Sequence, residues 1–175
     1  MADIRDFPAI FEEIVTSVRA RWDEAEATYP LCEYGTYWEL TKVESLNNEA
    51  ENPKYPLIWL VWEANESERT YEADIIAKVK PRIFIATHTN SDYTSKERHV
   101  NNFRPILYPL WDLFLQEMNN HSQLGQVHRE DYRDFDHLLW GESLGYQKKE
   151  NVLFDTLDAL EVKFINDIRI LPEAC

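Results

Sequence analysis

The sequence predicts an α+β fold, with an antiparallel or mixed β-sheet of about four to five strands and two main helices packed on one face. Near the start of the chain, apolar residues recur at helical spacing. In the middle of the chain, two short runs are apolar at both odd and even positions, as in strands buried on both faces. The helical and strand patterns do not alternate regularly, which disfavours a doubly wound fold. A chain of 175 residues, 44% of them hydrophobic, can build one core, so residues 1–175 are predicted to form a single domain.

The first helix is predicted from Phe7 to about Trp22. Its apolar residues recur at helical spacing: Phe7, Ile10, Phe11, Ile14, Val15, Val18 and Trp22. Asp6 is expected to cap the amino end, and Pro8 is tolerated in the first turn. The Tyr29-Pro30 pair should end the segment, because the residue before a proline disfavours helical geometry.

Several strands are predicted after this helix. The run TYWELTKV over residues 36–43 is rich in β-formers, and residues 44–54 read as a polar loop. Strands follow at residues 57–62, 71–80 and 82–88. The runs at 57–62 and 82–88 are apolar on both faces, which is typical of strands buried on both sides. If both helices cover one face, either a long loop or another subunit must cover the second face.

A second helix is predicted from residue 95 to about Met118. Thr94 and Glu97 match a capping box, in which the two side chains satisfy free N–H groups at a helix start. Pro105 and Pro109 lie inside the segment, so a kink or two short helices are expected. The Asn119-Asn120 pair closes it.

Residues 120–150 show little periodicity, and we expect a long loop-rich excursion with a short helix at about 135–140. Residues 157–171 then alternate as a half-buried antiparallel strand, with a bulge or turn at 166–167. In that strand Leu160, Val162 and Phe164 should point inward, whereas Glu161 and Lys163 should point outward.

The net charge of −14 arises from 32 acidic and 18 basic residues. Such a surface repels nucleic-acid phosphates, so we expect no sequence-specific nucleic-acid binding. It keeps the protein in solution, and it also suits DNA sliding past or a basic partner. Cys32 and Cys175 are expected to be free thiols in a reducing compartment. No signal peptide and no run long enough to cross a bilayer are predicted.

Two groups of polar residues are candidate sites. Asp134, Asp136 and His137, with His128 nearby, offer ligands for a divalent cation, because Asp134 and His137 have the spacing of a helical pair. The other group lies where a strand meets the second helix, and its helix N–H groups suit an anion: Thr87, His88, Thr89, Asn90, Ser91 and His99.

Ordinary loop and turn chemistry accounts for both groups equally well. The sequence also lacks the GxSxG, HExxH, CxxC and phosphate-loop motifs. We therefore assign no catalytic, cofactor-binding or metal-binding residue, no cofactor and no enzymatic activity.

The layout resembles the tail-terminator, tail-completion and head–tail connector proteins of tailed bacteriophages. The stretches that carry this resemblance are the helix over residues 7–22, YPLIWLVW at 55–62, the strand at 82–87, LWDLF at 110–114 and the strand at 160–170. They cover most of the chain outside residues 120–150. The resemblance rests on the order and patterning of elements, and it assigns no functional residue.

This resemblance implies a structural subunit of the virion, assembled in the host cytoplasm. Copies would form a six-fold or twelve-fold ring at the head–tail junction, next to portal, connector or tail proteins, and the genome would pass through it. Two other classes remain open: an acidic binding or adaptor module, such as a DNA-mimic inhibitor, and a small enzyme.

Overall fold

The computed structural model describes residues 7–22, 31–35, 55–61, 70–71, 77–140 and 156–171. The helical elements are α1 (Phe7–Arg21), α2 (Ser95–Arg98), a π-helix (His99–Leu107), α3 (Tyr108–Asn120) and a 3₁₀ turn (Arg129–Asp131). The strands are β1 (Leu31–Gly35), β2 (Leu57–Val61), β3 (Thr70–Tyr71), β4 (Ala77–Val79), β5 (Arg82–His88), β6 (Tyr132–Trp140), β7 (Leu157–Phe164) and β8 (Ile168–Ile170).

Five of these strands form the main sheet, in the order β1-β2-β5-β7-β6. The β1–β2 pair is parallel, and the other three pairs are antiparallel. The strands β3, β4 and β8 form a second, smaller antiparallel sheet in the order β3-β4-β8. The predicted α+β class, with a mixed sheet and two main helices, is confirmed.

Helices α1 and α3 pack on one face of the main sheet. Their apolar stripes and the facing strand residues form one core, which includes Phe7, Phe11, Ile14, Val18, Ile58, Leu60, Ile83, Ile85, Phe103, Leu110, Phe114, Leu160 and Val162. The rings of Phe11 and Phe114 join the two helices, with centroids 5.6 Å apart. Burying each such side chain stabilises the fold by roughly 1.5–3 kcal/mol, so this stripe determines where the helices lie.

The second face of β2, β5 and the start of β7 is also buried. Its apolar residues are Leu57, Trp59, Val61, Phe84, Ala86, Leu157 and Ala159, and each is 5% exposed or less within the single chain. Of the two covers expected for this face, a loop or another subunit, the second is not needed, because these residues are already buried within the single chain.

The second helical region runs without interruption from Ser95 to Asn120, as a four-residue α2, a π-helix and α3. Pro105 lies inside the π-helix, where the sequence predicted a kink or two short helices. Proline lacks an N–H and its ring collides with the carbonyl four residues earlier in an α-helix. A wider π-turn accommodates both effects: at its end, the Tyr108 N–H donates to the Phe103 carbonyl, five residues back.

The predicted capping box is present. Glu97 N–H donates to the Thr94 hydroxyl at 3.3 Å, and the Thr94 N–H donates to the Glu97 carboxylate at 2.8 Å. The Thr94 hydroxyl also donates to the Glu97 carboxylate at 2.7 Å, and this hydrogen bond, together with the one from the Thr94 N–H, lowers the pKa of Glu97.

Three predictions for the carboxyl-terminal half need correction. Residues 135–140 belong to strand β6, not to a short helix, so the predicted loop-rich excursion contains a nine-residue strand. The single strand predicted over residues 157–171 is two strands in two different sheets, and the bulge or turn predicted at 166–167 lies in the break between them, at residues 165–167. Glu161, predicted to point to solvent, is buried at 8% exposure because Arg82 and His137 flank it.

Predictions for the first half are confirmed in part. The strands at 57–62 and 82–88 match β2 and β5, and the predicted strand at 71–80 has strand residues at both ends. Strand β1 was not predicted. The predicted strand at 36–43 and loop at 44–54 lie outside the described residues, as do Asp6 and Cys175.

Candidate functional site

The polar junction between β5 and α2 is organised by Arg98, which the sequence analysis did not single out. Its side chain is 2% exposed, and its guanidinium donates to five acceptors. These are the carbonyls of Tyr93 (3.1 Å), Asn90 (2.8 Å) and Ser91 (3.0 Å), the Thr89 hydroxyl (2.9 Å) and the Asp158 carboxylate (3.2 Å). A guanidinium has five N–H donors, so every donor of Arg98 is used inside the chain.

Asp158 completes this network from strand β7. It is fully buried, and its carboxylate also accepts from the Asn102 amide at 2.7 Å and from the Leu139 N–H at 3.1 Å. Leu139 has a φ of 52°, which is uncommon for a residue other than glycine. It lies where the β6–β7 register shifts, between His137 and Trp140, and the bond to Asp158 holds this bulge in place.

The junction residues predicted to hold an anion are therefore engaged with one another. Thr89, Asn90 and Ser91 serve Arg98, and the start of α2 is satisfied by its capping box. His88 is exposed and lines a shallow groove of about 420 Å³, whereas the His99 ring packs on Phe103 with centroids 4.8 Å apart. The hydrogen bonds of Arg98 therefore hold the start of the second helical region against the sheet. His88 and His99 do not share a site.

The second candidate cluster lies on β6, which is the edge strand of the main sheet as described. Successive side chains of a strand point to opposite faces, so Asp134 and His137 are on opposite sides of the sheet. The spacing that suited a helical metal pair therefore separates them. Within the part of the chain that the structure describes, no three His, Cys, Asp or Glu side chains are grouped closely enough to hold a metal ion.

On the helix side of β6 an open groove of about 660 Å³ separates the strand from α3. Trp111 and Tyr132 form its buried base, with ring centroids 5.1 Å apart. Its acidic groups are Asp112 on α3 and Asp134 and Asp136 on β6, and its basic group is Arg129. We call this feature the acidic groove; its carboxylates outnumber its cations by two.

Two contacts organise the walls of the acidic groove. The Tyr108 hydroxyl donates to Asp136 at 2.6 Å, and Arg129 pairs with Asp134 at 2.5 Å while lying over the Tyr132 ring. Burial, reinforced by the Asp136 hydrogen bond and charge, raises the pKa of Tyr108 to about 12. Asp112 makes no side-chain contact of this kind within the described residues and faces solvent.

The opposite side of β6 is basic. The sheet register places Arg82, Lys163 and Arg133 directly beside one another on β5, β7 and β6. We call these three residues the basic row. One carboxylate, Glu161, lies at the next level of the register, between Phe84 and Phe135. The basic row and Glu161 together carry two more positive than negative charges.

Glu161 is held by two neighbours. Its carboxylate accepts from Arg82 at 2.6 Å and from His137 at 2.7 Å. Burial by itself raises the pKa of Glu161, but the hydrogen bonds from His137 and Arg82 outweigh that effect and lower it. The cations of Lys163 and Arg133 remain exposed, and no carboxylate among the described residues pairs with them.

No known protein family and no curated protein matches this chain in sequence. Among the residues that the structure describes, no helix is both long enough and apolar enough to cross a membrane.

Proposed function

We propose that this protein is a structural subunit that assembles with copies of itself into a ring at the head–tail junction of a tailed bacteriophage. The main observation in favour of this assembly is the pair of oppositely charged surfaces on the two sides of edge strand β6. Surfaces of opposite sign on one molecule allow copies to associate head to tail, and head-to-tail contacts generate rings when their rotation closes.

The buried core directs this association to polar surfaces. Both faces of the central strands β2 and β5 are covered within the single chain, so the sheet offers no open apolar face to a partner. Exposed large apolar residues are few among the described residues: Val100, Phe135 and Ile165. Phe135, 45% exposed, lies on β6 at the rim of the acidic groove. Aromatic residues are enriched at protein–protein interfaces relative to the rest of the surface.

The location in the virion is supported by the order of the elements. Helix α1, strand β2 after Tyr55-Pro56, strand β5 leading into α3, and strand β7 follow one another as in the stretches on which the phage resemblance is based. The net charge of −14 also suits a channel, because an acidic wall does not retain DNA phosphates as the genome passes.

Native mass spectrometry of the purified protein, with negative-stain imaging of any large species, tests this function. We expect closed six-fold or twelve-fold rings, formed either by the protein alone or after a portal, connector or tail protein is added. A monomer or dimer that ignores such partners would refute the proposal. That outcome would favour the acidic adaptor or DNA-mimic alternative, for which DNA-binding proteins are the appropriate binding partners.

A further inference from the structure

The basic row has a property that the described residues do not explain. Like charges placed directly opposite one another in a sheet are destabilising, and three adjacent strands here contribute Arg82, Lys163 and Arg133 at one level of the register. Only Arg82 has a carboxylate partner, Glu161, among the described residues. Lys163 and Arg133 extend into solvent in a protein with 32 acidic residues. An acidic surface docked on them would relieve this repulsion.

The acidic groove has the complementary chemistry. Asp112 is unpaired within the described residues, and Asp134 contacts Arg129 through Oδ1 alone, which leaves Oδ2 for a second cation. The groove is open and about 660 Å³ in volume, large enough for the ends of lysine and arginine side chains. Aromatic rings at its base and wall, including Tyr108 and Trp111, are favourable neighbours for such cations.

We propose that the partner of the acidic groove is a second copy of this chain, whose basic row docks between α3 and β6. This inference rests on the proposed ring function and names the contact that would build the ring. Lys163 and Arg133 of one copy pair with Asp112 and Asp134 of the next. Phe135 lies beside this contact, at the rim of the groove.

The placement of the two surfaces also determines the symmetry. They lie on opposite sides of the same strand, so a two-fold pairing of two β6 edges would bring acid beside acid and base beside base. A head-to-tail contact instead joins unlike charges at every step. The assembly therefore grows head to tail without two-fold dimers as intermediates, and it forms a ring when the rotation between successive copies closes.

Charge reversal tests the contact in the full-length protein. We expect R133E/K163E, which reverses the basic row, and D112K/D134K, which reverses the acidic groove, each to weaken assembly on the order of a hundredfold. The controls carry the same charge changes elsewhere. K96E/R169E matches the basic-row variant, and D92K/D167K matches the groove variant because it too combines a solvent-facing acid with one from an exposed ion pair. Both controls should assemble like the wild type.

A mixing experiment separates loss of the contact from loss of folding. An equimolar mixture of R133E/K163E and D112K/D134K should form rings with alternating copies, because each reversed surface meets a reversed partner. The quadruple variant should assemble by itself for the same reason. Native mass spectrometry resolves the two kinds of copy by mass, and circular dichroism verifies that each variant is folded.

The outcomes distinguish this contact from the ring function. Variants that still form rings alone, or folded variants that fail to form rings when mixed, would overturn the contact and leave the ring function standing. Wild-type protein that forms no ring, alone or with neck and tail partners, would overturn both. Where a partner is needed for closure, all variants are compared in its presence.

Discussion

Replacing Arg98 by leucine removes the cation at the centre of the β5–α2 junction. Asp158 would then be a fully buried carboxylate left with two neutral donors, the Asn102 amide and the Leu139 N–H. Breaking one side of a buried ion pair costs about 3–5 kcal/mol, because the remaining charge is uncompensated. For a chain of this length, that loss lowers the melting temperature by roughly 6–20 °C.

Urea and thermal unfolding, followed by circular dichroism, measure this effect. R104L is a suitable control, because it removes an exposed arginine from the same helical region, and it should change stability by less than about 0.5 kcal/mol. The R98L/D158L double variant should be more stable than R98L, since replacing a buried pair together leaves no unpaired charge. An R98L protein within 1 kcal/mol of the wild type would refute the assignment of Arg98 as the central brace.

Three further predictions concern single contacts. T94A should lose about 1 kcal/mol of stability to urea through the capping box, whereas the neighbouring S95A should change little. Because the pKa of Glu161 is lower in the folded protein, its carboxylate stabilises the fold at pH values above the unfolded pKa, near 4.5. This stabilisation is lost as the pH falls through the lower folded pKa. The stability difference between wild type and E161Q should therefore shrink in acid; a difference that stays constant with pH would contradict it. In ultraviolet titration, with Y108F as the reference, the step of Tyr108 near pH 12 should move toward 10 in D136N. An unchanged step would show that Asp136 does not contribute to it.

The predictions that held rest on patterns within one short segment. The apolar stripe of α1, the doubly apolar strands β2 and β5, and the capping box at Thr94 each depend on residues within a few positions of one another. Local spacing determines which face of a helix or strand is buried. Sequence reading therefore identified these elements and the α+β class.

Strand β6 was not predicted, because it is an edge strand and carries polar residues on both of its sides. Asp134 and Asp136 alternate with Arg133, Phe135 and His137, so both of its sides carry polar residues and the apolar alternation of a typical strand is absent. It is a strand because it pairs with β7, whose partner residues lie 17 to 32 positions later in the sequence, from Trp140↔Leu157 to Tyr132↔Phe164. The same pairing moved Asp134 and His137 to opposite faces, which separated the predicted metal pair.

The sequence by itself determined the helices, the central strands, the acidic net charge and the absence of familiar catalytic motifs. Only the tertiary structure decided which charges meet. Arg98 is hydrogen-bonded to Asp158, 60 residues away, and Arg82 to Glu161, 79 residues away. The basic row comes from β5, β7 and β6, whose order in the sheet differs from their order in the chain. Two charges that are far apart in the sequence interact only when the fold brings them together, because the electrostatic energy depends on their distance in space and on their burial. The spacing of residues along the chain therefore predicts neither the distance between two charges nor their burial.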